Sequence, residues 1–319
     1  MILAQEAADA SRFASAVADG LSLGAIYALL AMGFVIIFKA TQVLNFAHGA
    51  LAALGAFFVA SFATILNFPG RLIEGAPQWL QWGLSVLFAL IAAALAGMLL
   101  ERVFLRPMVG EELFAVAIVT LGIDIALRNV TNDWIGTVAR PLGDPWGTKS
   151  LDAGWVSIPH TAIAQIIVSL VLVSAVALFF RSRTGIAMRA TAFDQEAARA
   201  QGISVGRIFS ISWAIGAMLA AVAGIFVSVF PRRPAGVDTF TAFFAFKAFP
   251  AIILGGLDSV VGAVVGGFTV GIAEALAGEY VTAAWLGAGF GGIVPYLLML
   301  VVLLIKPYGL FGTEEIRRV

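Results

Sequence analysis

The sequence predicts an all-α fold: a polytopic membrane helix bundle of about eight or nine membrane segments, with broken or re-entrant helices. Three observations predict it. Hydrophobic residues make up 61% of the 319, against about 45–50% in a soluble domain. Charged residues make up 12%, where about 25% is usual. Charge-free runs of at least 18 residues recur at 20–38, 40–70, 75–100, 153–180, 208–231 and 280–305, and a spanning helix needs roughly 20 apolar residues. These runs are continuous and do not alternate, which argues against a β-barrel. A soluble enzyme, a nucleic-acid binder and a disordered chain are excluded by composition alone.

Taken in order, residues 1–16 read as a polar or amphipathic N-terminal lead-in. They lack the basic start and apolar stretch of a signal peptide. Residues 17–312 form a single transmembrane domain. Three weaker apolar stretches add to the six runs: 113–130, interrupted by Asp124 and Arg128; 243–257, broken by Lys247 and Pro250; and 259–278, carrying Glu274. The longest polar loops are 131–160, rich in Gly, Pro, Asp and Trp, and 181–207, rich in Arg. Residues 313–319 are a polar tail. Placing 181–207 in the cytoplasm puts 11 of the 19 Lys and Arg on that side, among them Lys39, Arg102, Arg106 and Lys306, as the positive-inside rule asks. The C-terminus is then cytoplasmic. Nine full spans put the N-terminus outside, and a re-entrant 243–257 would reverse it.

Catalysis has little to work with. There is no Cys, and only His48 and His160, so thiolate nucleophiles, disulfides and a zinc site are not expected, and no catalytic, metal or cofactor site is assigned. Equal numbers of acidic and basic residues (19 each) give no reason to expect a nucleic-acid partner. No G-x-x-x-x-G-K-[ST] occurs, so ATP hydrolysis by a P-loop of this chain is excluded. Gly287, Gly289 and Gly292 match G-x-G-x-x-G but lack the strand, helix and acidic residue of a dinucleotide site, and read as an interfacial loop.

Other features suit a membrane path. Gly262, Gly266, Gly267 and Gly271 lie on one face of a late segment and Gly20 and Gly24 open the first; small residues four apart let backbones approach closely, within a bundle or at a subunit interface. Asp124 and Arg128, four apart, share a helical face, as a polar pathway or as a structural ion pair. Glu274 is more isolated, a residue that caps, pairs or faces a cavity. Lys39–Gly49 and Lys247–Asp258 interrupt apolar runs, one in each half of the chain. Such breaks point to a transport path, because unwound backbone is tolerated only where it lines a cavity or is buried in protein. Gln42, Asn45 and His48, spaced by three, are expected to stack on one face, as path-lining groups or as a satisfied polar patch. The candidates for the pore are therefore Gln42, Asn45, His48, Asp124 and Glu274.

In the 181–207 loop, Asp194–Gln201 is good helix-forming sequence. Asp194 is the expected cap and Gly202 the expected stop. A short helix between two spans suits docking to a soluble partner; the plainer reading is a solvated basic loop.

Glu196-Ala197-Ala198-Arg-Ala-Gln-Gly202 resembles the EAA-x-x-x-G signature of ABC-importer membrane subunits. With Gly185-Ile-Ala-Met-Arg189, Gly20-Leu-Ser-Leu-Gly24, NFAHG at 45–49, ILGGLDSVVGAVVGG at 253–267 and KPYGLFG at 306–312, the chain resembles the branched-chain amino acid ABC transporter permease family, LivH type. The Leu-Pro ending of longer EAA signatures is absent; Ile211-Ser-Trp-Ala stands near that place. The resemblance implies a non-catalytic permease subunit in a bacterial cytoplasmic (inner) membrane. The implied partners are a second, related permease subunit in a heterodimer, two cytoplasmic ABC ATPase subunits, an external substrate-binding protein and membrane lipid. The implied coupling residues are Gly185, Arg189, Asp194, Glu196, Ala197, Ala198 and Gly202. Branched-chain or related amino acids are the implied cargo. The same machine importing urea, short amides or other small polar solutes, and a stand-alone secondary transporter or channel using Asp124 and Glu274 as a relay, are the alternatives.

Overall fold

The computed structural model describes residues 2–136, 138–152, 156–233, 235–281 and 290–313. Gly287, Gly289 and the tail beyond Thr313 lie outside them. Among the described residues, seven helices are long and apolar enough to cross a membrane: Asp9–Thr41, His48–Ile65, Gln78–Met108, Leu113–Ile135, His160–Arg181, Val205–Val227 and Val260–Tyr280. Two shorter apolar segments, Thr241–Gly255 and Phe290–Ile305, bring the total to nine, so the expected bundle forms. The strands among the described residues are two short ones, β1 (Ser150–Asp152) and β2 (Ser157–Pro159), paired antiparallel in the loop that precedes the fifth long helix.

The first helix, α1 (Ile2–Thr41), takes the N-terminal lead-in into one continuous helix with the first span. With α2 (His48–Ala60) and α8 (Val205–Val227) it forms the buried centre: most of their side chains have no contact with the surroundings. Around them stand α3 (Gln78–Leu100), α4 (Leu113–Ile135) and α5 (His160–Arg181), which expose Leu95, Leu99, Ile118, Leu170 and Leu178, as helices facing lipid do. The connection from α5 to α8 holds α6 (Arg183–Phe193) and α7 (Gln195–Ala200). After α8 come a 3-10 segment (Thr241–Ala248), α9 (Phe249–Gly255), α10 (Val260–Tyr280) and α11 (Val294–Ile305).

The glycine face of α10 is spent inside the chain. A methyl group at Gly267 would lie 2.4 Å from Ala28 N, and one at Gly271 would lie 2.3 Å from Gly24 N, so α1 and α10 touch backbone to backbone. Gly262 and Gly266 meet Gly255 and Ala251 of α9 in the same way. These four glycines therefore pack α10 against two neighbours of its own subunit, as small-residue faces do in lipid.

Two contacts settle how 241–255 runs. Arg232, just before it, binds Asp19 (2.8 Å) near the start of the first span. Asp258, just after it, accepts through its carbonyl from Lys39 Nζ (3.0 Å). Asp19 and Lys39 are 20 residues apart on α1, about 30 Å of helix. The 3-10 segment plus α9 covers roughly 26 Å. The segment therefore crosses the bundle and does not turn back, and it does so on mostly stretched, irregular helix.

The last motif closes on an earlier one. Leu310 N donates to Leu254 O (2.8 Å) and Phe311 N to Gly255 O (3.1 Å). Thr313 N and its hydroxyl both bind the Asp258 carboxylate. KPYGLFG thus fastens the chain beyond α11 to the α9–α10 turn.

Candidate functional site

α1 ends at Thr41, and Gln42 has a left-handed backbone (φ +58°). The chain then turns back into the bundle. His48, which starts α2, lies against Gly33: a methyl group there would be 2.9 Å from His48 Cε1. Gly33 is eight residues before Thr41, about 12 Å along the helix. Residues 42–47 are therefore unwound backbone running through the interior.

Threonine supplies what this stretch lacks. Thr120 Oγ1 of α4 donates to Leu44 O (2.8 Å) and accepts from Phe46 N (3.2 Å). Val43 N donates to Thr41 Oγ1 (3.3 Å), and His48 N to Asn45 O (3.3 Å). The Asn45 carboxamide, fully buried, has no hydrogen-bond partner among the described residues. A buried amide left so is destabilising by about 1–3 kcal/mol.

The expectation that Gln42, Asn45 and His48 stack on one helical face is overturned. The helix stops between them, so Gln42 faces out at the Thr41 end while Asn45 and His48 are buried. Asp124 and Arg128 do form an ion pair on α4, four residues beyond Thr120, and the Arg128 guanidinium lies 4.6 Å over the Phe243 ring. Glu274 is not isolated: Tyr27 Oη (2.6 Å) and Lys247 Nζ (3.0 Å) both donate to it. Sequence reasoning missed Thr120, Tyr27 and the partnership with Lys247. The spacing of Thr120, Asp124 and Arg128, four apart in an apolar helix, was the available signal.

The loop between α5 and α8 carries the second cluster. Asp194 Oδ1 accepts from Glu196 N (2.8 Å) and Ala197 N (2.9 Å), capping α7. Gly202, at φ +82°, ends it, with Ile203 N reaching back to Ala198 O (3.0 Å), a left-handed closure that glycine allows at no steric cost. Ala198 packs on Val205 and Phe209, while Glu196 and Ala197 are exposed. Before α7 comes a second helix, α6, that was not foreseen. Ser182 caps it by accepting from Gly185 N (3.2 Å), and a methyl group at Gly185 would meet Phe179 O at 2.2 Å. Arg189 is exposed on α6, and Phe193 at its end is 95% exposed.

The two clusters meet. A cleft of about 460 Å³ is lined by Gln195, Glu196 and Arg199 of α7 and by Thr41, Gln42 and Val43 at the helix break, with Glu101 at its side. Glu101 is buried and bound by Arg106 (3.0 and 2.8 Å) and Ser210 (2.7 Å). Arg106 also donates to Gly206 O (2.8 Å). This network ties the end of α3 to the start of α8, next to α7.

A profile of the family described as branched-chain amino acid transport system / permease component matches residues 16–303. The chain belongs to the branched-chain amino acid permease family. It is 32% identical over 308 residues to the high-affinity branched-chain amino acid transport system permease protein LivH of Salmonella typhimurium, covering 94% of this chain and 96% of that protein. LivH of Escherichia coli (strain K12) gives the same figures. BraD of Pseudomonas aeruginosa is 29% identical over 309 residues, again 94% and 96% of the two chains. PsaBC from Streptococcus pneumoniae in complex with Fab aligns over 91% of each chain at 15% identity and a TM-score of 0.44, too loose to carry an argument. Membership and the seven long apolar helices make this permease an integral membrane protein. The motifs that carried the resemblance lie on α1, at the helix break, on α6 and α7, across the α9–α10 turn and just beyond α11.

Proposed function

We propose that this chain is the membrane-spanning permease subunit of an ATP-driven importer for branched-chain or related amino acids, working by alternating access. One observation carries the reading: α7 and the buried helix break open onto one cleft, with Glu196 and Arg199 on one side and Gln42 on the other. A partner that moves α7 acts on the wall of the path without a long relay. The fully buried Asn45 amide, without a hydrogen-bond partner among the described residues, lies two residues beyond Val43 of that cleft, in the interior.

The partners are a second, related permease subunit, two cytoplasmic ABC ATPases and an external binding protein, in a bacterial inner membrane. The names of the relatives supply the cargo. Exposed Phe193 suits an ATPase groove, since a large hydrophobe on a polar surface is a typical anchor. The Arg-rich 181–207 loop faces the cytoplasm by the positive-inside rule. Nine crossings then put the C-terminal tail on the same side and the N-terminus on the other. An ion-coupled carrier is disfavoured because Asp124 and Glu274, its candidate relay groups, each hold a cation already.

Reconstitution tests this. Vesicles holding this chain, its sister permease and the ATPases, with the binding protein outside the transport face, are expected to accumulate leucine only when ATP is supplied. Accumulation by this chain alone under a proton or sodium gradient would sink the proposal.

A further inference from the structure

The segment Phe240–Phe249 places an aromatic residue at every third position: Phe240, Phe243, Phe246 and Phe249. In a 3-10 helix, three residues make one turn and side chains at i and i+3 eclipse. Residues 241–248 are 3-10, so the rings form a ladder with centroids 6.4, 6.2 and 5.9 Å apart. Phe46 of the helix break stacks on the last rung at 5.9 Å, one residue from Asn45. The outer rungs are open: Phe240 is 62% and Phe243 46% exposed.

Exposed phenylalanines on a membrane protein ordinarily face lipid. Two observations argue otherwise here. Arg128, the partner of Asp124, lies over Phe243, and Lys247, bound to Glu274 yet 41% exposed, sits on the adjoining face of the same segment. Charged groups at such depth almost always face the bundle interior or a water-filled cavity. The segment also lies deep: its neighbours Tyr27 (against Phe244, 5.7 Å) and Phe34 (against Phe249, 5.6 Å) lie well within α1.

We infer that the Phe240–Phe243–Phe246–Phe249 ladder is a wall of the translocation path, a rail for the aliphatic side chain of the cargo. The rail rests on the function proposed above; the position of the wall does not. The cargo would pass along the rings toward the Asn45 amide without a deep pocket, so that no rung holds it tightly.

The chain contains no cysteine, so single cysteines in it can be read against a clean background. The assembled transporter is made with Phe240→Cys, Phe243→Cys or Phe246→Cys. Leu170→Cys and Leu300→Cys, 51% and 52% exposed mid-way along α5 and α11, serve as lipid-facing references. A charged, water-soluble thiosulfonate is expected to modify the ladder positions about tenfold faster than the references in at least one nucleotide state. Ladder positions that react no faster than the references, with ATP or without it, overturn the wall. For the rail, Phe243→Ala with Phe246→Ala is expected to lower the preference for leucine over alanine by about an order of magnitude, while Phe243→Leu keeps it. An unchanged preference overturns the rail. Normal labelling in a transporter that imports no branched-chain amino acid overturns the cargo and the rail together and leaves the wall standing.

Discussion

Thr120 shows how much one hydroxyl carries. It serves as acceptor for Phe46 N and donor to Leu44 O, inside a stretch with no helix to satisfy it. Replacement by valine keeps the shape but removes both bonds and leaves Phe46 N and Leu44 O only their contact with each other (3.2 Å), a loss of about 1–3 kcal/mol. Thr120→Val is expected to lower the unfolding temperature of the purified complex and its uptake, and Thr120→Ser to restore both; a valine variant as stable as the parent would show that the break is held elsewhere. Asp124 poses a similar test. Its carboxylate is buried and its partner Arg128 largely so. Removing one member of such a pair is destabilising by about 3–5 kcal/mol. Asp124→Asn is expected to reduce thermal stability sharply, and Asp124→Asn with Arg128→Gln to recover most of it; equal losses in single and double variants would contradict the pairing. The Asp124–Arg128 pair was legible in its spacing of four, but the partners of Thr120 and Glu274 could not be found by reading along the chain. Leu44 and Phe46 are more than 70 residues from Thr120, and Lys247 and Tyr27 reach Glu274 from two other segments. The three-residue spacing of Gln42, Asn45 and His48 misled because a left-handed Gln42 leaves no mark in composition.

At the scale of the element, local signals were read well where they act locally. Asp194 and Gly202 bound α7 because a carboxylate cap and a left-handed glycine act within a few residues. α6 escaped because its cap, Ser182, and its glycine in the first turn do not resemble a helix start with an acidic residue. The glycine face of α10 announced close packing but not its partners, since face and partner are separate facts. Gly267→Leu is expected to drive α1 and α10 apart and stop the protein from accumulating in membranes, because the nearest atom is Ala28 backbone; normal accumulation would contradict that contact. The α7 cap tests coupling. Asp194→Ala is expected to weaken the cap by about 1 kcal/mol, leave ATP hydrolysis by the partner subunits running, and lower uptake. Parallel loss of both activities would mean the helix serves assembly alone.

Across the whole molecule, composition and run length sufficed for the membrane bundle, because lipid imposes its requirement on every segment at once. Whether 241–255 crosses was beyond the sequence. That answer needed Asp19 and Lys39, 20 residues apart on α1, as markers of depth. Among the described residues, the resulting nine apolar segments place the α7 loop, the 101–112 turn and Thr313 together, and the β1–β2 hairpin at the opposite end. The central claim is that displacement of α7 is passed across the shared cleft to the helix break. Spin labels on Gln42→Cys and Arg199→Cys, both exposed on that cleft, read it directly in the assembled, reconstituted transporter. The account predicts that the distance between them changes when the partner ATPases bind ATP and returns on hydrolysis. A distance that stays fixed while the same vesicles import their cargo would contradict it.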